Sequence, residues 1–145
     1  MITNATTEDA VEIKKIIAPE FAYRNFTSKQ IEQRINTPNI FVFKKIEEKK
    51  IIGFIEIELK TQGFITAIAV KKKYRNKGIG KELLEYAISF LEKKGFEKAI
   101  LLVKKENTVA KKLYRIIGFE FTKLHNKKIE NSIIEVWEKE LTYFN

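Results

Sequence analysis

The chain predicts a single α/β domain built on a mixed sheet, and three observations carry that prediction. Short Ile-, Val- and Phe-rich segments read as strands, longer segments repeat their apolar residues at helical spacing, and the two kinds interleave before a closing strand pair. At 145 residues, 44% of them hydrophobic and 12% aromatic, the chain is long enough to bury one core and too apolar to be disordered.

The elements follow in order. Ile2 to Ala5 suits a short first strand. Thr6-Thr7-Glu8-Asp9 has the form of a capping box, and Ala10, Ile13, Ile16 and Ile17 then repeat at helical spacing as far as Pro19. Phe21, Tyr23 and Phe26 lie in a connecting segment. Thr27-Ser28-Lys29-Gln30 is a second capping box, opening a helix through Ile31 and Ile35 that ends near Thr37-Pro38. Ile40–Phe43 and Ile51–Leu59 read as strands, with Glu47-Glu48-Lys49-Lys50 as a solvated hairpin tip. In the second of these, Ile55, Ile57 and Leu59 alternate with Phe54, Glu56 and Glu58, the pattern of an edge-like strand with a polar face.

Gln62-Gly63 turns the chain into Phe64–Val70, apolar on both faces as a central strand covered on each side would be. The helix opening at Gly78 places Ile79, Leu83, Leu84, Ala87, Ile88 and Leu91 on one stripe and stops at Lys93-Lys94-Gly95. Ala99–Val103 is another buried strand. Asn107 caps a short helix with Val109, Leu113 and Ile117 inward, ended by Gly118. Phe119–Leu124 and Ile133–Leu141 close the chain as a strand pair. Strands and helices without repeats or an interdomain linker make 1–145 one domain.

Composition excludes several classes of protein. No apolar run is long enough to span a bilayer, and Met1-Ile2-Thr3-Asn4 lacks the regions of a signal peptide, so a soluble cytoplasmic protein without membrane partners is expected. With no cysteine there is no disulfide, thiolate metal site or cysteine nucleophile, and no histidine cluster or paired carboxylate motif suggests a metal. A net charge of +9 points to anionic partners, although Lys, Ile and Glu are abundant throughout and the excess also fits a general compositional bias.

The most informative stretch joins Ile68-Ala69-Val70 to Lys71-Lys72-Lys73-Tyr74-Arg75-Asn76-Lys77-Gly78-Ile79-Gly80. A strand enters a basic turn, and glycines open the helix that follows. The first amides of a helix lack internal partners and point outward, which suits an anion. Gly78 and Gly80 let that anion approach the backbone closely. The P-loop pattern fails, because Gly80-Lys81 is followed by Glu82 instead of a hydroxyl residue. The dinucleotide fingerprint fails because Leu83 stands where a third glycine belongs.

Arg-x-x-Gly-x-Gly directly after Ile68-Ala69-Val70 does fit a known pattern. It resembles the acetyl-coenzyme A motif of the GNAT superfamily of N-acetyltransferases. A second block, Asn107-Thr108-Val109-Ala110-Lys111-Lys112-Leu113-Tyr114-Arg115-Ile116-Ile117-Gly118-Phe119, resembles that family's Asn-x-x-Ala-x-x-Leu-Tyr-x-x-x-Gly-Phe at every named position. The opening Ala5-Thr6-x-Glu8-Asp9 and closing Glu138-Lys139-Glu140-Leu141 are similar to the family in a less specific way.

The resemblance implies a mostly antiparallel sheet of about seven strands flanked by about four helices. It implies acetyl-CoA as cosubstrate, an amine acceptor and no metal. Backbone amides from Arg75 through Asn76, Lys77, Gly78, Ile79 and Gly80 to Lys81 would hold the pyrophosphate, and Ile68, Ala69 and Val70 the pantetheine arm. The Val70 amide would polarise the thioester carbonyl, with Asn107 bonding the arm and Tyr114 as general acid. On spacing alone Asn107 reads as a plain helix cap, a role compatible with bonding the arm, and Tyr114 reads more readily as a core tyrosine than as an acid.

Where several relatives carry a carboxylate, just before Ile68, this chain has Thr66 and Ala67. Glu56 and Glu58 on the neighbouring strand become the candidate bases, with ordered water or a plain polar face as alternatives. His125 in its basic turn reads as surface, and Trp137 reads as packing. Chain length and few insertions favour a protein N-terminus as acceptor. A small-molecule amine acceptor, or a non-enzymatic coenzyme A-responsive or nucleic-acid-binding module, is the alternative, and a homodimer fits the resemblance.

Overall fold

A computed structural model describes residues 1–20 and 26–142. Its strands are β1 (Ile2–Asn4), β2 (Ile40–Glu47), β3 (Lys50–Leu59), β4 (Gly63–Val70), β5 (Lys98–Lys104), β6 (Glu120–Leu124) and β7 (Ile134–Glu140), and its α-helices are α1 (Ala10–Glu20), α2 (Ser28–Ile35), α3 (Ile79–Lys93) and α4 (Thr108–Ile117). The strands form one 7-stranded sheet in the order β1-β2-β3-β4-β5-β7-β6. Every neighbouring pair is antiparallel except β4 and β5.

Two cores lie on opposite faces. On one, α3 buries Ile79, Leu83, Leu84, Ala87, Ile88 and Leu91 against Ile55, Ile57, Ile65 and Leu101. Each fully buried side chain of this size contributes roughly 1.5–3 kcal/mol. On the other, Ala10, Ile13, Ile16 and Ile17 of α1 and Ile31 of α2 cover Ile40, Val42, Phe54, Ala67 and Ala69. A central β4 covered on both sides is what its apolar sequence requires.

Local chemistry fixes the ends of these elements. The Asp9 carboxylate accepts from the Thr6 N–H at 2.7 Å, and at Thr27 both bonds of the capping box form, Gln30 N–H to Oγ1 at 3.1 Å and Thr27 N–H to Gln30 Oε1 at 2.8 Å. α3 ends in a Schellman motif: Phe96 N–H donates to Leu91 O at 3.1 Å and Gly95, at φ +85°, to Glu92 O at 3.0 Å. The β2–β3 hairpin turns through Glu48 and Lys49 with φ of 51° and 65°, a left-handed pair whose twist matches the strands.

The structure corrects three expectations. β3 is interior, not edge-like, and its Glu56 is only 6% exposed. Val109 faces solvent instead of the core, because the inward stripe of α4 is Ala110, Leu113, Tyr114 and Ile117. α1 continues one residue past Pro19. Of the aromatic segment, Phe21 and Tyr23 lie outside the described residues, and Phe26 sits beneath the Arg34 guanidinium at 5.7 Å.

Candidate active site

The sheet is split where its parallel pair should run. β4 and β5 pair only from Gly63↔Ala99 to Ile65↔Leu101, although both strands continue. The far half of β5 stays tied to β7 as far as Lys104↔Ile134, while β4 stays tied to β3 as far as Val70↔Gly53. Thr66 contributes to the divergence. The β3–β4 register passes from Glu56↔Ala67 to Ile57↔Ile65, so Thr66 is an extra residue bulged from β4.

Backbone groups in the split follow from ladder alternation. Lys71 N–H donates to Ile52 O at 2.8 Å, which makes Val70 opposite Gly53 a non-hydrogen-bonded pair. The N–H groups of Val70 and, two residues back, Ile68 therefore turn away from β3 into the split, and the Ala69 N–H turns toward β3. The Val70 carbonyl accepts from Arg75 Nε at 3.2 Å, which folds the basic turn back on the strand end.

That turn delivers the chain to α3 with Asn76 and Gly78 left-handed at φ 63° and 82°. The first helical bond is Glu82 N–H to Gly78 O at 3.0 Å, so the amides of Ile79, Gly80 and Lys81 precede any helical acceptor. A Cβ at Gly78 would have no atom within 4 Å, and the space beside the turn is open. Lys73 and Lys77 ammonium groups lie over the Tyr74 ring at 6.0 and 5.8 Å. Among the described residues no carboxylate pairs with Lys71, Lys72, Lys73, Lys77 or Lys81. The arrangement suits a polyphosphate.

Across the split, α4 supplies Asn107 and Tyr114. Asn107 caps the helix through Oδ1, which accepts from Ala110 N–H at 3.1 Å, leaving Nδ2 out of the cap. Tyr114 is 7% exposed, packs edge-on to Phe119 at 6.1 Å and lines the cavity that opens from the split. Contacts to β7 hold the helix in place: Lys111 Nζ stands 3.3 Å from Glu135 Oε1, and the Arg115 guanidinium lies 5.0 Å over Trp137. Trp137 is core, and its Nε1–H donates to Glu135 at 2.9 Å.

This cavity of about 650 Å³ brings Tyr114 and Ile68 together with Glu58, but not with Glu56. Arg34 Nε and Nη2 fork onto the Glu56 oxygens at 2.9 and 2.7 Å, and Thr66 Oγ1 donates to Oε1 at 2.6 Å. The hydrogen bonding that Arg34 donates to Glu56 raises the Arg34 pKa. Glu56 thus ties α2 to the bulge in β4. Among the described residues, the ion pair of Glu58 is a 4.0 Å approach from Lys60.

His125, which its basic turn marks as surface, is half-buried and lines the same cavity, with Nδ1 3.1 Å from the Lys127 amide nitrogen. Its placement depends on the register of the β6–β7 pair, and nothing in the local sequence marks it. Among the described residues no group of His, Asp and Glu could hold a metal ion, and no helix is long and apolar enough to cross a membrane.

A split sheet, a bare helix N-terminus on one side and a buried tyrosine on the other make a two-sided cleft suited to group transfer from a phosphorylated donor. Residues 9–119 match the acetyltransferase (GNAT) family, and the chain belongs to that family. It is 26% identical to N-alpha-acetyltransferase 30 of Saccharomyces cerevisiae, over 77% of this chain and 69% of that protein. It is 32% identical to the ribosomal protein bS18-alanine N-acetyltransferase of Escherichia coli, over 66% of this chain but only 62% of that relative's length. The crystal structure of the ribosomal-protein-S18-alanine N-acetyltransferase from Escherichia coli superposes with a TM-score of 0.86, covering 100% of this chain and 96% of that one. Identity there is 21%, and the likeness is one of fold.

Proposed function

We propose that the chain transfers acetyl from acetyl-CoA to a primary amine by direct attack, with a protein N-terminus as acceptor. The observation that carries this reading is the split itself. The amides of Ile68 and Val70 face into it, with the open N-terminus of α3 at one end and Tyr114 across from them. The amides of Gly78, Ile79, Gly80 and Lys81, with Arg75, Asn76 and Lys77 around them, take the pyrophosphate. Asn107 Nδ2 and the edge of β4 at Ile68 take the pantetheine arm, the Ala69 amide being turned to β3.

Each step then has a residue. The Val70 N–H polarises the thioester carbonyl and bonds the oxyanion that forms as the amine nitrogen attacks. As the C–S bond breaks, the Tyr114 phenol gives its proton to the departing sulfur. The amine's surplus proton leaves through Glu58 or water, since Glu56 is held by Arg34 away from the cavity. The products are an amide and a free thiol. Protein N-termini are the acceptors that the names of both relatives above suggest. A cytoplasmic location fits the reading, as does a homodimer through β6, a sheet edge where Phe121 and Leu124 are exposed.

Release of coenzyme A thiol from acetyl-CoA, followed across a panel of amines and peptides, tests the proposal. Saturable release with at least one amine is expected. No release with any amine, together with tight, salt-sensitive binding of duplex nucleic acid, would replace this reading with a nucleic-acid-binding one.

A further inference from the structure

The acceptor side of the cavity has a definite chemistry. Cross-strand register sets Glu58 opposite Phe64, Phe64 opposite Ile100, and Ile100 opposite Glu138, one row running over four strands on one face. On that face Ile40, opposite Glu58, joins the core beneath α1 and α2. The next row places Leu102 opposite Val136. The result is an apolar floor of Phe64, Ile100, Leu102 and Val136, with Ile129, the carboxylates of Glu58 and Glu138 and the ammonium groups of Lys60 and Lys123 around it, all lining the cavity that Tyr114 also lines.

Two features show that this floor is incomplete. Leu102 is 44% exposed although β5 is an interior strand. A lone exposed leucine means little, but this one continues into four other apolar residues of one cavity. The flanking carboxylates are also only loosely held. Glu58 and Glu138 side chains are 22% and 21% exposed, and their lysine partners stand 4.0 and 3.5 Å away. Lys60 and Lys123 line the same cavity, so its charge is mixed, and the apolar floor is what distinguishes it.

We propose that the acceptor is an amine carrying an apolar side chain within its first two residues. That side chain packs on Phe64, Ile100, Leu102, Ile129 and Val136. This inference rests on the acetyltransferase reading and adds which amine that site selects.

The test is kcat/KM for acetyl transfer to a peptide series varied only at positions one and two, with Leu, Phe, Ser or Glu there. Leu or Phe at one of the two positions should exceed both Ser and Glu by roughly 10-fold or more. Leu102→Ser should reduce the apolar peptides to about the level of the Ser peptide while the Kd for coenzyme A stays unchanged. Ile129→Ser serves as a second variant should Leu102→Ser lose coenzyme A binding through misfolding. A flat series, a preference for Glu, or full apolar preference in a folded variant overturns the inference and leaves the acetyltransferase reading intact. Absence of thiol release with every peptide and amine overturns both.

Discussion

Replacing Glu56 with alanine separates a structural carboxylate from a catalytic one. The substitution removes the acceptor of two Arg34 bonds at 2.9 and 2.7 Å and of the Thr66 hydroxyl at 2.6 Å. Breaking a buried ion pair costs about 3–5 kcal/mol, because the surviving charge is left unpaired. The Arg34 side chain is 28% exposed and regains some hydration, which lowers the expected cost to about 2–3 kcal/mol. At roughly 3 °C per kcal/mol for a chain of this size, Tm should fall by about 6–9 °C. Arg34→Met should cost at least as much, since it leaves the carboxylate buried. The double variant Arg34→Met with Glu56→Leu should recover most of the loss. Urea denaturation of the parent, Arg34→Met, Glu56→Leu and the double variant closes a double-mutant cycle and measures the coupling. If Glu56→Ala melts within 2 °C of the parent, roughly the resolution of the argument, the fork contributes nothing and the account of β3 is wrong. Glu56→Gln adds a kinetic control. A 100-fold or greater fall in kcat with Tm unchanged would return Glu56 to the chemistry.

Three further outcomes follow from the same structure. Tyr114→Phe should lower kcat by roughly 10²- to 10⁴-fold with little change in acetyl-CoA affinity, and equal turnover at saturation would remove the phenol from the mechanism. Gly78→Ala should cost about 1–2 kcal/mol by thermal melting, because φ is 82° and no neighbouring atom obstructs a Cβ; an unchanged Tm would mean that the turn does not need that conformation. At Asp9, burial raises the carboxyl pKa, but the Lys44 ammonium at 2.6 Å and the Thr6 N–H outweigh it and hold the group below its usual 3.8. A depressed folded-state value means that this stabilisation is present above pH 3.8 and is lost as pH falls through the lower value, so Asp9→Asn should flatten that acid limb of a stability–pH curve.

What the sequence made legible was local or repeated. The stripe of α3, its Gly95 terminus and the Thr27–Gln30 box are set by residues within a few positions of one another, and each forms as read. The acid Glu56 was misread because its partner, Arg34, lies 22 residues away on another element. Alternation of Ile and Glu looks like a wet face until α2 covers it. Val109 was misassigned because helical spacing gives a stripe without fixing which neighbour faces inward. The bulge at Thr66 and the end of pairing at Ile65 are register events that no residue type announces. For the same reason Leu102 and Glu138 line the cavity without a local signal and His125 reads as surface, whereas Tyr114 is marked by its motif.

The central claim is that the split edge of β4 and the N-terminus of α3 receive one ligand, acetyl-CoA. Amide chemical shifts recorded while acetyl-CoA is titrated into the ¹⁵N-labelled protein test this most directly. The largest shifts are predicted at Ile68, Val70, Gly78, Ile79, Gly80 and Lys81, saturating together with one Kd, with Asn107 following. Shifts absent at saturating acetyl-CoA, or centred on β6 or α1, would contradict it.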